Sequence, residues 1–173
     1  MAKTPRIAGA CAAAAVLAMS GTTATAHAAV DQTCALSEVV TYDPPLTNTP
    51  RDVTFTVEGQ LFNCTSGSAP TGSYHESGTA TNASCSGVLA AGSGTRVYTW
   101  TTSAIPPSTF SYNRTTTRVG GEIVVVALGS ITSGSFTPDP AKSTGTGLQP
   151  NPLACSTTGV STLTAAGLLV IGL

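Results

Sequence analysis

Apolar residues recur at every second position over much of this chain, and that period of two limits what it can fold into. Val53, Phe55, Val57, Gly59 and Leu61 alternate with Thr54, Thr56, Glu58 and Gln60, setting an inward face against an outward one. Residues 33–41, 73–83, 95–102, 109–119, 122–133 and 159–173 read as further strands, the second of them weaker and more polar. No helical stripe of useful length follows residue 28. Val119-Gly120-Gly121-Glu122 is the best turn signal, because two glycines accept the positive φ of a type I′ hairpin. Ser103-Ala104-Ile105-Pro106-Pro107 joins the two strands before and after it by a short loop. Residues 137–152 hold four of the eleven prolines and few apolar side chains, and read as a long irregular connection. Six to eight short alternating strands predict an all-β, antiparallel β-sandwich, with a small closed β-barrel as the alternative.

The N-terminus belongs to another process. Lys3 and Arg6 precede an uncharged, alanine-rich run over residues 7–19, and Ala26-His27-Ala28 supplies a small-x-small cleavage pattern. Residues 1–28 are therefore expected to be a signal peptide, Cys11 lying too early for lipid attachment. Residues 29–173 form a single domain, secreted to the extracellular side. Five basic residues then remain against eight acids, with no excess positive charge for nucleic acid. Apolar runs are too short for a membrane span. The apolar segment 163–173 reads as a buried final strand rather than a lipid-anchor signal.

Export also sets the cysteine chemistry. Cys34, Cys64, Cys85 and Cys155 remain, and an even number outside the cell implies two disulfides with three possible connectivities. Zinc-like spacing of two to four residues is absent, so no metal is expected. If residues 33–41 and 52–63 pair as a hairpin centred near Thr49, facing residue numbers sum to 98, as 34 and 64 do. Cys34–Cys64 is then within disulfide reach, which leaves Cys85–Cys155.

Catalytic groups are hard to assemble. His75 is the sole histidine after cleavage and reads as a solvent-facing residue beside Glu76 on an edge strand. No nucleophile elbow precedes a helix. Asp43, Asp52 and Glu58 read as surface acids rather than a glycosidase pair or a calcium loop. The expectation is no enzyme and no cofactor. A hydrolase survives only if His75 reaches a nucleophile in a cleft.

The constellation that stands out is aromatic and basic. If the loop centres near Ile105, Trp100 faces Phe110, Tyr98 faces Tyr112 and Arg96 faces Arg114, all on one side, with Arg118 continuing the row. In one reading the aromatics are core, and the arginines pair with an acid such as Glu58 or Glu122 where the row emerges. In the other, Arg96, Tyr98, Trp100, Tyr112 and Arg114 form an exposed platform for a sugar or a partner protein. The core reading is preferred, since the chain has few other large apolar residues. Opposed arginines also raise anion or carboxylate capture.

The early cysteine, the Tyr42-x-Pro44-Pro45-Leu46-Thr47-x-Thr49-Pro50 turn, Phe110-Ser111-Tyr112-Asn113-Arg114-Thr115 and Arg118-Val119-Gly120-Gly121 resemble small secreted proteins of actinobacteria. The likeness covers essentially the whole exported chain. It implies an immunoglobulin-like sandwich and carries over no catalytic or binding residues. A bacterial origin also removes Asn63, Asn82 and Asn113 from consideration as glycosylation sites. The expected function is a secreted, non-enzymatic binding or structural module facing an unknown extracellular protein or glycan. The alternative is a secreted inhibitor or effector of an extracellular enzyme that inserts the 137–152 loop.

Overall fold

The computed structural model describes residues 30–87 and 91–172, so the expected signal peptide lies outside the described residues. The strands are β1 (Gln32–Leu46), β2 (Arg51–Phe62), β3 (Gly72–Ala83), β4 (Gly92–Trp100), β5 (Ser108–Val119), β6 (Glu122–Ser133), β7 (Pro140–Leu148) and β8 (Val160–Ile171). One short helix, α1 (Pro152–Ser156), precedes β8. All pairings are antiparallel.

The sheet closes on itself as an eight-stranded barrel in sequential order, with β1 hydrogen-bonded to β8. The alternative architecture is thus the one adopted, and the immunoglobulin-like sandwich is not. The reason lies in the segment expected to be an irregular connection. Residues 140–148 are β7, which pairs with β6 on one side and β8 on the other. That strand makes the count even, so the first and last strands of an up-and-down meander run antiparallel and can join. Its polar, small-residue sequence conceals it: Ala141, Ser143 and Gly145 face inward where bulkier neighbours need room.

The expected tight hairpin forms between β5 and β6. Val119 faces Glu122 across Gly120 and Gly121, whose φ values of 60° and 87° are those a tight hairpin requires. Asn151 caps α1, its side chain accepting from the Leu153 and Ala154 amides, with Pro152 at the first helical position. This single turn carries Cys155 to Cys85.

Both disulfides form as expected, Cys34–Cys64 and Cys85–Cys155. The hairpin register does not. Ala35 faces Phe62 and Val40 faces Val57, so facing numbers sum to 97 and not 98. Asn63, at φ 52°, adds a residue beyond the ladder. Thr65 then donates its amide to the Thr33 carbonyl, which restores the offset that Cys64 needs.

An eight-stranded barrel has an interior just wide enough for side chains to fill. At the end bearing Cys34–Cys64, it is filled by Leu61, Trp100, Ile131, Leu169 and Ile171, all buried. Trp100 donates to the Ser108 hydroxyl (2.9 Å) and packs edge-on against Phe136. Gln32, fully buried there, donates to the Ala69 carbonyl and accepts from the Ser66 amide. The opposite end, beside Cys85–Cys155, buries Leu46, Val53 and Ile123.

Candidate functional site

The centre of the barrel is charged. Glu38 on β1, Glu76 on β3 and Arg96 on β4 project inward because their positions share the parity of Leu36, Tyr74 and Tyr98. Arg96 donates through Nε and Nη2 to Glu76 Oε2 at 3.2 and 3.0 Å, and its Nη1 lies 3.7 Å from Glu38 Oε2. Tyr74 donates to Glu38 (2.5 Å), and Tyr112 to Glu76 (2.6 Å). The guanidinium carbon sits 4.1 Å from the Tyr74 ring centroid. Burial works against the cation, but Tyr74, Tyr98 and the two carboxylates outweigh it and hold its pKa above the ordinary guanidinium range.

Cross-strand glycines make this reach possible. Gly59 faces Tyr74 and Gly94 faces Tyr112 in their ladders, and a Cβ at either glycine would overlap the tyrosine. Each ring therefore lies over its glycine neighbour and delivers its hydroxyl to the strand beyond. Phe55 covers Gly78, and Trp100 covers Gly72, in the same way.

The aromatic row is interior, as the core reading expects. Arg96, Tyr98, Trp100 and Tyr112 are all buried, Tyr98 completely, and only Arg114 is half-buried. The exposed platform is not formed. The facing pairs also differ: Arg96 is opposite Phe110 and Tyr98 opposite Ser108, so the two arginines do not confront each other. Tyr98 and Tyr112 instead stack on either side of Phe110, at centroid separations of 6.0 and 5.1 Å. Glu58 and Glu122, the acids expected to pair with these arginines, sit on exposed positions. For Arg96, Glu38 and Glu76 take that role. Their signal was available as acids at inward parity within alternating strands. Arg118 donates to the Cys85 and Ser86 carbonyls and fastens β5 to the segment after β3.

His75 is on the outer face, paired with Glu58 at 2.6 Å and largely exposed. Asp52 accepts from the Asn82 amide, while Asp43 lies opposite Thr54 and Glu58 opposite Val39, so the three acids are spread along a hairpin. No group of three His, Cys, Asp or Glu suited to a metal occurs among the described residues. No helix among them is long and apolar enough to cross a membrane.

The end beside Cys85–Cys155 holds a recess of about 220 Å³ lined by Tyr42, Leu46, Phe55, Thr79, Ala80 and Arg114, among others. It adjoins the weakest seam of the barrel. The β3–β4 ladder consists of Gly72 with Trp100 and Ser73 with Thr99, whereas β3 stays paired to β2, and β4 to β5, well beyond that point.

These features define an eight-stranded up-and-down barrel with a charged, tyrosine-lined interior and a recess beside Tyr42 and Arg114. No family model matches the chain, and neither the curated proteins nor the solved structures include a match to it.

Proposed function

We infer that the exported chain is a non-enzymatic extracellular module, a rigid barrel that works by binding a protein or glycan outside the cell. The observation that supports this most is the placement of its cysteines. All four that follow the signal sequence are consumed in two bridges, one at each end of the barrel, as suits an oxidising compartment. The charged groups support a non-catalytic role. Arg96, Glu38 and Glu76 satisfy one another inside the barrel, and His75 on the outer face is engaged with Glu58 rather than with a nucleophile. Nothing in the geometry favours the inhibitor reading, because most of the segment expected to insert as a loop is β7.

The reading is tested by expressing the full chain, separating culture medium, cell envelope and cytoplasm, and titrating free thiols. The expected product is oxidised and outside the cytoplasm, and it is retained on envelope material or on members of a glycan array. A reduced cytoplasmic protein, or hydrolysis abolished by His75→Ala, would overturn it.

A further inference from the structure

The barrel closes between β7 and β8 over only part of their length. Their ladder ends where Thr146 faces Ala166, and beyond it Gly147 still lies against the Thr164 carbonyl. β8 begins earlier, at Val160, which faces Leu46 of β1. Residues 160–163 therefore have a strand on one side alone. Successive residues of a strand turn their amides and carbonyls to opposite edges. Alternate backbone groups of this stretch thus face away from β1, with no strand among the described residues to meet them. Such edges are ordinarily guarded by a lysine or a proline. Val160-Ser161-Thr162-Leu163 has neither, and its β-branched residues suit strand pairing. The other short ladder, β3–β4, differs, because Arg96 bonds Glu76 and Tyr74 meets Tyr98 across it.

The surroundings select the occupant. The open edge borders a groove of about 370 Å³ whose other side is Leu148, Gln149, Pro150, Asn151 and Ala154. A second copy cannot fill it by pairing edge to edge, since its own β8 edge is recessed behind the same residues. A single extended segment can, four paired residues spanning about 13 Å. Leu148, 74 % exposed, and Val160 offer apolar contact to side chains of that segment. Past Leu148 and Thr164 the groove continues to Glu122, an exposed acid with no ion pair among the described residues. A basic residue at that end of the segment complements it. We propose that β8 accepts an extended peptide as an added strand along residues 160–163, with an apolar side chain on Leu148 and a basic one toward Glu122. This rests on the reading of the protein as an extracellular binding module and names the class of its partner.

The probe is the peptide acetyl-Lys-Val-Thr-Val-Thr-Val-amide, titrated into the oxidised protein by calorimetry and by amide chemical shifts. It should bind saturably and shift the amides of residues 148 and 160–164, while those of 74–80 stay unmoved. Two versions N-methylated at alternate residues separate the edges of the peptide. The one that blocks the edge facing β8 should bind at least tenfold more weakly, and the other as well as the parent. Replacing the lysine of the peptide by glutamate should weaken binding at least fivefold, and Glu122→Gln should remove that difference. Leu148→Lys, at an exposed position, should abolish binding with the melting temperature unchanged. Absence of saturable binding, equal affinity of both N-methylated versions and the parent, or shifts confined to other strands would overturn the assignment. A dimer that forms without peptide and is dissolved by Leu148→Lys would give the edge to a second copy, and would overturn it as well. Retention of the wild-type protein on envelope material or glycans reports separately on the broader reading. If it persists when the peptide fails, only the partner class is lost.

Discussion

Tyr74 lies over Gly59 of the adjacent strand and hands its hydroxyl to Glu38, one strand further on, at 2.5 Å. A side chain at residue 59 is incompatible with that path. Gly59→Ala should displace the ring, leave the Glu38 carboxylate with Arg96 alone, and cost about 3 kcal/mol, combining overpacking with a lost charge-assisted bond. Gly67→Ala, where an added Cβ meets nothing within 4 Å, should change stability by less than about 0.5 kcal/mol. Denaturant unfolding of the two variants measures the difference. Equal effects would mean that the ring does not occupy this position.

Arg96 neutralises two carboxylates where water is scarce, its side chain only 10 % exposed. Arg96→Met should destabilise the barrel by about 3–5 kcal/mol, the usual result of removing one partner from a buried ionic group. Adding Glu38→Gln and Glu76→Gln should recover most of that loss, since the stranded charges are then gone. If the triple variant is no more stable than the single one, the three side chains do not act as a unit.

Much of this was legible because alternation is a local property. The β2 face and the Gly120–Gly121 hairpin follow from residues near one another in the chain, whereas Cys34–Cys64 is reached through a hairpin centre that the ladder shifts, and Cys85–Cys155, 70 residues apart, only by elimination. Two classes of feature were not. Strand β7 has an inward face of Ala141, Ser143 and Gly145, too small to register as apolar, and its existence is dictated by the side chains it must accommodate. Closure of the sheet depends on that strand, so a sandwich was expected. Register was the second. A shift in facing numbers from 210 to 206 separates Arg96 from Arg114 and turns an apparent repulsion into a pairing with Glu38 and Glu76. Yet those acids, and Tyr42, stand at inward parity beside plainly apolar neighbours. A charged or hydroxyl-bearing residue on the wrong face of an alternating strand was the missed signal of a polar interior.

The two disulfides should differ in what they contribute. Cys34–Cys64 spans 30 residues and Cys85–Cys155 spans 70. Chain entropy assigns them about 3.6 and 4.4 kcal/mol. The second also fastens α1 to the segment after β3, next to the β3–β4 seam. Replacing Cys85 and Cys155 by Ser should therefore lower stability more than replacing Cys34 and Cys64, in matched guanidinium melts. The reverse order would place the weak point of the barrel at the Trp100 end.

All four tyrosines of the chain, Tyr42, Tyr74, Tyr98 and Tyr112, are shielded inside the barrel. Burial is the main cause that pushes each pKa up, to about 12 for Tyr112 and further for the others. Above about pH 10 these phenols ionise in the unfolded chain but not in the folded one. Unfolding then releases protons, so stability is fully present below that pH and declines as pH rises toward the folded-state values. Tyr42, Tyr74 and Tyr98 together should remove about 4 kcal/mol per pH unit in this window. Tyrosinate absorbance should stay flat through pH 10 and then rise in one cooperative step, coincident with loss of the near-ultraviolet dichroism. In denaturant, all four should titrate near pH 10. Gradual ionisation of even one tyrosine near that pH, with the dichroism intact, would mean that its ring is open to solvent and that the interior is not sealed at that position.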